Sequence, residues 1–420
     1  MIYNLTADCL NEIFEFLNEK DLFACLLVMR LWCEIAVRLL WRRPQSFESL
    51  LACLPNESRA TLIENGVIIP TSRPPFFNYV AFIRNLRISD LSRSINKFDD
   101  KNKEVIKEEI LKMIMKNTYL KKLCIATNKN QTNFLDYQGR EVCLSNLSEF
   151  KCCSNISSDM LHKLSITCKH LKTLRIKLKE SVSDGLEELI TSQSNLKYLD
   201  LRFCYKESPI QLFPITLTKL RMVGVRIPIP FSMIPKLPNL QELTLAILYE
   251  SYLEDFKDFQ YVSLPQLQIL KFENICLKIE YLMKFLENNG KNLEELCLGK
   301  DIKIIKDSFY IKIANCCPKL RLLRTVFPEG NLNSMKVIVD HCKNLKDIYI
   351  LCSNQLDPKA TFQWGLKSSL VNRMSSIPLS LTISFGSIMD VQLSQTDITI
   401  IRECKDLGVI KRFVFNNHIM

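Results

Sequence analysis

Leu237-Pro238-Asn239-Leu240-Gln241-Glu242-Leu243-Thr244-Leu245 is the stretch that decides the architecture, because the chain repeats it. The phrase returns at 168–176, 193–201, 264–272, 290–298, 317–325 and 342–350, and weaker copies end at Ile125, Cys152 and Met222. Its anchors are Leu120, Leu147, Leu171, Leu196, Leu217, Leu240, Leu267, Leu293, Leu320 and Leu345, separated by 27, 24, 25, 21, 23, 27, 26, 27 and 25 residues. Self-similarity at such a period marks stacked structural repeats. Within each copy the closing apolar residues alternate with polar ones, which is the period of a strand with one buried face. The remainder of each repeat returns on the other side. Met160, Leu161, Leu164, Ser165 and Ile166 read as one return segment, Tyr281, Leu282, Phe285 and Leu286 as another, and Val337, Ile338 and Val339 as a third. A unit this short cannot bury its own apolar edge, so neighbours must stack.

Ahead of the repeats stands Leu5-Thr6-Ala7-Asp8-Cys9-Leu10-Asn11-Glu12-Ile13-Phe14-Glu15-Phe16-Leu17. Leu10, Ile13, Phe14 and Leu17 make one apolar helical stripe. Thr6 is its N-cap candidate, and Asp8 suits the positive end of the helix dipole. Asp21 is a fresh N-cap candidate for a second helix over 22–29. Trp32, Ile35, Ala36, Leu39 and Leu40 follow at helical spacing, and Pro44 closes the unit. About forty residues lie near the lower limit for a self-sufficient core. Some of Leu5, Ile13, Phe14, Leu17, Leu22, Val28 and Trp32 must therefore face a partner or the rest of the chain. This pattern resembles the F-box, the helical module that docks onto a Skp-family adaptor in cullin–RING ubiquitin ligases. The resemblance implies adaptor binding by Leu5, Ile13, Leu17, Leu22, Val28 and Trp32. It departs from the family at Thr6, where proline is usual, and at Asp8, where glutamate is commoner.

The L-x-x-L-x-L phrase and its spacing resemble leucine-rich repeats. Cys168, Cys316, Cys317 and Cys342 fall just before anchor leucines, which resembles the cysteine-containing repeat class of F-box proteins. A buried thiol there fills a small slot and donates weakly to a backbone carbonyl. The expected fold class is α/β: a three-helix F-box followed by a leucine-rich-repeat solenoid with parallel strands on its concave face and helices or irregular returns on its convex face. The expected boundaries are 1–45 for the F-box, 46–78 for a linker with a helix, 79–353 for the solenoid and 354–420 for C-terminal repeats or a cap. Residues 70–75 read as a loop, 82–88 as the first strand, and 103–116 as an amphipathic helix with Val105, Ile106, Ile110 and Met113 on one side. Residues 377–385 and 410–415 read as late strands.

Composition excludes several function classes. The 420 residues are 47% hydrophobic, ample for a core, yet hold only 10 glycines and neither a GxGxxG nor a Walker-type loop. The 17 cysteines are odd in number and recur in repeat contexts, which suits buried thiols in a reducing compartment. Asp8, Glu12 and Glu15 interrupt the N-terminal apolar stretch, so no secretory leader is expected. No apolar run spans a bilayer. Cys152-Cys153 and Cys316-Cys317 are adjacent rather than spaced as metal ligands, and His162, His170, His341 and His418 are scattered, so no metal or cofactor is expected. No nucleophile elbow or H-E-x-x-H motif appears, so no catalytic residue is expected.

The strand register gives the side chains that face outward. The early repeats offer Lys122, Glu149, Lys151, Arg175, Lys177, Tyr198, Asp200, Arg202, Lys219 and Arg221. The later ones offer Glu242, Lys271, Glu273, Glu295, Arg324, Asp347 and Tyr349. The first set is predominantly basic and the second acidic. Arg175, Lys177, Arg202 and Arg221 are the candidate grip for an acidic or phosphorylated target segment, since arginine holds phosphate oxygens bidentately. The whole reads as the substrate receptor of an SCF-type ligase in cytoplasm or nucleus, joined through the adaptor to cullin and RING subunits. The alternative is an F-box adaptor or interaction scaffold outside ubiquitin transfer. Neither a nucleic-acid signature nor a membrane segment accompanies the net charge of +11.

Overall fold

The computed structural model describes residues 5–69, 75–96, 98–125, 134–178, 183–203, 213–224, 234, 236–247, 257–273, 278–299, 307–325, 337–338, 341–351, 379–384, 402, 410–415 and 418–419. The chain forms two compact units, Met1–Leu196 and Lys197–Met420. The division falls within the repeats, not at the end of the helical module. Most of the expected loop at 70–75, Val339 and the outer residues of the 377–385 strand lie outside the described residues. Among the described residues, no helix is long and apolar enough to cross a membrane.

The first unit opens with α1 (Ala7–Phe14), α2 (Glu19–Cys25) and α3 (Arg30–Leu40). Thr6 caps α1 as expected, its hydroxyl accepting the Cys9 N–H at 3.4 Å. The second helix departs from expectation at both ends. Asn18, not Asp21, caps it: Asn18 Oδ1 accepts the Asp21 N–H at 3.1 Å while its amide donates to Asp21 Oδ2 at 2.6 Å. This reciprocal arrangement makes Asp21 the third helical residue rather than the cap. The helix stops at Cys25 because the next N–H groups, of Leu26 and Leu27, bond three residues back, to Phe23 and Ala24, tightening the last turn. Beyond it lie α4 (Phe47–Ala52) and α5 (Asn56–Glu64). The expected linker is thus two helices, with Phe47, Leu50, Leu51 and Leu62 buried. Arg59 fastens them by donating to the carbonyls of Ala52 at 2.6 Å and Leu54 at 3.0 Å.

Four parallel strands follow, β1 (Asn85–Arg87), β2 (Lys122–Cys124), β3 (Glu149–Cys153) and β4 (Thr173–Leu178). They alternate with α6 (Ile88–Ser94), α7 (Asp100–Asn117), α8 (Arg140–Leu144), α9 (Ser158–Thr167) and α10 (Asp184–Thr191). The expected first strand and the 103–116 helix are both present. Ile106, Ile110 and Met113 of that helix are buried, together with Leu111, Ile114 and Met115. One backbone carbonyl per repeat accepts two N–H groups from the next. Arg84 O takes those of Lys121 and Lys122 at 2.7 and 2.9 Å, Lys121 O those of Ser148 and Glu149 at 2.9 and 3.0 Å, and Ser148 O those of Lys172 and Thr173 at 2.8 and 3.0 Å. Arg42, just past α3, supplies the first rung, accepting from Arg84 and Asn85 at 2.8 Å each. The helical module and the first repeat share that ladder.

In the second unit β5 (Tyr198–Phe203), β6 (Lys219–Gly224), β7 (Glu242–Ile247), β8 (Ile269–Glu273), β9 (Glu295–Cys297), β10 (Leu322–Thr325), β11 (Asp347–Leu351), β12 (Leu379–Ser384) and β13 (Ile410–Phe415) pair in parallel. The short β14 (His418–Ile419) turns back antiparallel on β13. The C-terminal stretch therefore continues the parallel pairing, with Ser380 opposite Asp347. Return helices α11 (Ile279–Asn289) and α12 (Asp307–Cys316) cover the other side. Glu287 of α11 accepts hydrogen bonds from Lys284 and from Lys312 of α12, and these hold its carboxyl down to about 2. A depressed carboxyl contributes stability above its ordinary value of 4.5 and loses it as pH falls through about 2. Carboxyl NMR should show a Glu287 midpoint near pH 2, moving toward 4.5 when Lys284 and Lys312 are both changed to Gln.

All ten anchor leucines are buried. The position just before the anchor joins successive repeats. Cys168 Sγ donates to Leu144 O at 3.9 Å and Cys342 Sγ to Cys317 O at 3.6 Å, the weak thiol bond expected there. Two amides do the same work more strongly. Gln193 donates to Cys168 O at 2.7 Å and accepts from Leu171 N–H at 3.1 Å. Asn289 donates to Val262 O at 2.8 Å and accepts from Leu264 N–H at 2.5 Å.

Candidate functional site

The helical module buries Leu10, Phe14, Leu22, Cys25, Ile35, Ala36 and Leu39 and leaves other apolar side chains in solvent. Leu5, Ile13, Phe16, Phe23, Leu27, Val28 and Met29 are all exposed, Phe16 to 91% and Leu27 to 90%. Of the six residues expected to meet an adaptor, Leu5, Ile13 and Val28 are open to solvent, and Leu17 and Trp32 are half-buried. Trp32 stands edge-on to Phe14, ring centroids 5.1 Å apart. Leu22 is the exception: at 7% exposure it belongs to the module's own core. Phe16, Phe23, Leu27 and Met29 were not in the expected set. Phe16 lies off the Leu10–Leu17 stripe, and the run of Leu26, Leu27, Val28 and Met29 is too long for every member to face inward; both are legible signals. Glu15 and Arg42 brace the module with an ion pair at 2.5 Å, and the Arg42 guanidinium holds the Glu15 carboxyl below its ordinary value.

The strand faces carry the charged residues. In the first unit, Arg175 and Lys177 extend from β4 into solvent beside Lys151 and Cys153 of β3. In the second unit, the two remaining candidate cations are held by their own face. Arg202 Nη2 lies 3.4 Å from Asp200 Oδ2. Arg221 lies 3.6 Å from Asp200 Oδ1 and 3.0 Å from Glu273 Oε2. Any anion meeting them must displace a carboxylate. Asp200, expected to face solvent, is buried at 2% exposure between those arginines. Farther along, Lys219 meets Glu242 at 3.1 Å and Lys271 meets Glu295 at 3.3 Å and Glu242 at 3.8 Å. Burial alone would lower the Lys271 pKa, but Glu295 and Glu242 outweigh it and raise it. The predominance of cations in the early repeats thus survives in the first unit and is offset by pairing in the second.

Residues 7–45 match the family described as F-box-like. None of the curated proteins matches this sequence. Among solved structures, the chain is similar to that of the Rad7 and Elc1 complex in yeast, with 16% identity, a TM-score of 0.38 and coverage of 91% of this chain and 98% of that one. It is also similar to the leucine-rich repeat-containing protein LegL7 from Legionella pneumophila, with 12% identity, a TM-score of 0.35 and coverage of 67% of this chain and 90% of that one.

Proposed function

We propose, for a chain that joins an F-box-like domain at residues 7–45 to leucine-rich repeats, the role of substrate-recognition subunit in an SCF-type cullin–RING ubiquitin ligase. The helical module docks onto a Skp-family adaptor and, through it, onto cullin and RING subunits. The repeats hold a target protein for ubiquitination and proteasomal degradation. The chain is not an enzyme: it raises the effective concentration of a target lysine near ubiquitin carried by its companions. Its work belongs to the cytoplasm or nucleus, a reading supported by thiols such as Cys168 and Cys342 that serve repeat packing.

The observation that carries this reading is the exposure of Phe16 and Leu27 on a module whose own core is already filled. Large apolar side chains left open on a folded helical unit mark a binding face. Affinity purification of the full chain is expected to recover a Skp-family adaptor together with a cullin and a RING subunit. Recovery of the adaptor without a cullin moves the chain to the role of a non-ligase F-box adaptor or scaffold. Recovery of neither by a correctly folded chain removes the reading.

A further inference from the structure

The first unit holds a cavity of about 570 Å³ between the α4–α5 corner, the stretch 75–80 and the C-terminal end of α7. None of its lining residues belongs to a strand or to α1–α3. It is therefore separate from the strand face and from the open side chains of the helical module.

Two fixed walls shape it. On one side Arg59 ties the end of α4 to α5 through the carbonyls of Ala52 and Leu54, and Pro55, whose ring fixes its own backbone, stands at the start of α5. On the other side Tyr79 stacks on Trp41, ring centroids 4.1 Å apart, and Phe77 leans on Tyr79 at 6.1 Å. Phe76 meets Phe77 edge-on at 5.0 Å, yet it is 86% exposed. Val80 and Met113, both buried, supply an apolar floor. An exposed aromatic ring joined to such a floor makes a contiguous patch, the kind that marks an interaction site.

The charge around the patch has one sign. Lys116 and Arg59 line the cavity and no carboxylate does. Among the described residues, Lys116 has no ion-pair partner. Asn56 and Asn78 also line it, both exposed. A carboxamide both donates and accepts hydrogen bonds, which is what an extended peptide backbone requires of its neighbours.

We infer that this cavity docks a short acidic segment of a partner protein. One large apolar side chain of the segment lies against Phe76, Val80 and Met113, and a carboxylate beside it meets Lys116. The site is additional to the adaptor face and the strand face, and it stands whether or not the chain serves a ligase. A small amphipathic carboxylate fits less well. Sites for such ligands enclose most of the ligand's surface, whereas Phe76 leaves this rim in solvent. A nucleic-acid strand also fits less well, because a groove that tracks a phosphate backbone is strongly basic and only two cations line this one.

The test uses the full chain with short peptide libraries as probes. The first library fixes a central leucine flanked by aspartate and glutamate. The second replaces the acids by asparagine and glutamine, and the third replaces the leucine by serine. Dodecanoate and random single-stranded RNA are the competing probes. The first library is expected to be retained about fivefold or more over the second, as one charge-assisted contact at a partly exposed site predicts. It is expected to be retained about tenfold or more over the third, as burial of one leucine predicts. Lys116→Glu should abolish the preference for acids, and Lys116→Arg should keep it. Phe76→Ser should abolish the preference for leucine, and Phe76→Leu should largely keep it. Both side chains are exposed, so thermal unfolding should not change. Equal retention of the first two libraries, or preferences that survive Lys116→Glu and Phe76→Ser, overturns the inference. So does tighter retention of dodecanoate or RNA with the same variant sensitivity. Adaptor binding, measured alongside, is expected to be unaffected by all four variants, so failure here leaves the receptor reading intact.

Discussion

Phe16→Ser combined with Leu27→Ser is expected to weaken binding of a purified Skp-family adaptor by about 10²- to 10⁴-fold in titration calorimetry, with thermal unfolding of the chain unchanged. Burying a Phe or Leu side chain fully is worth about 1.5–3 kcal/mol, so the pair contributes about 3–6 kcal/mol, and each 1.4 kcal/mol is about tenfold in affinity. Neither residue supports the module's own core, since both are about nine-tenths exposed. Leu22→Ala should behave in the opposite way. Leu22 is buried, so its truncation should cost about 2–5 kcal/mol of stability and affect docking only through the fold. Undiminished adaptor affinity in the double-serine variant would show that this face is not the interface.

Asn289→Leu is expected to destabilise the second unit by about 2–6 kcal/mol. The Asn289 amide spans two repeats, bonding Leu264 N–H at 2.5 Å and Val262 O at 2.8 Å, and it is buried. Leucine strands both backbone groups away from water, and each orphaned group costs about 1–3 kcal/mol. That is a large share of the roughly 5–15 kcal/mol that holds a domain folded. Cys342→Ala removes only a thiol donor at 3.6 Å and a small buried volume, so its effect should be clearly smaller. Hydrogen exchange reads each variant locally, at the α11 amides for Asn289 and at the α12 amides for Cys342, which suits an array whose repeats unfold by neighbour interactions. An equal loss of protection at α11 in the first variant and at α12 in the second would mean that the amide contributes no more than the thiol.

These expectations show which parts of the molecule were legible as sequence. The repeats were, because each anchor leucine returns at a spacing that stacking demands, and all ten are buried. Residues 377–385 and 410–415 read as late strands from their apolar character, but their parallel pairing with earlier repeats depends on alignment across chains of intervening residues. The N-terminal helices were legible as elements and less so at their ends. Asp21 reads as the cap from sequence, and only the geometry of its bonds with Asn18 gives that role to Asn18. Periodicity found a stripe on α1 of which Leu10 and Phe14 are buried and Ile13 is open; the resemblance assigned Leu22 to the adaptor, while Phe16 and Leu27 went unassigned. The candidate cations were legible as positions and not as free charges. Whether Arg221 is available depends on Glu273, fifty-two residues later and two positions off its cross-strand row, which only the folded strands bring within 3.0 Å.

The Arg42 carbonyl, which receives the Arg84 and Asn85 N–H groups at 2.8 Å each, has a mechanical meaning for a receptor. Six residues of slack or a glycine hinge at that point would let the docking helices swivel against the first strand. Two short backbone bonds act instead as a weld. In the proposed role, a target held on the first strands would be delivered at one fixed bearing relative to whatever holds the helices, so the stiffness of this joint would share in setting which lysine is modified.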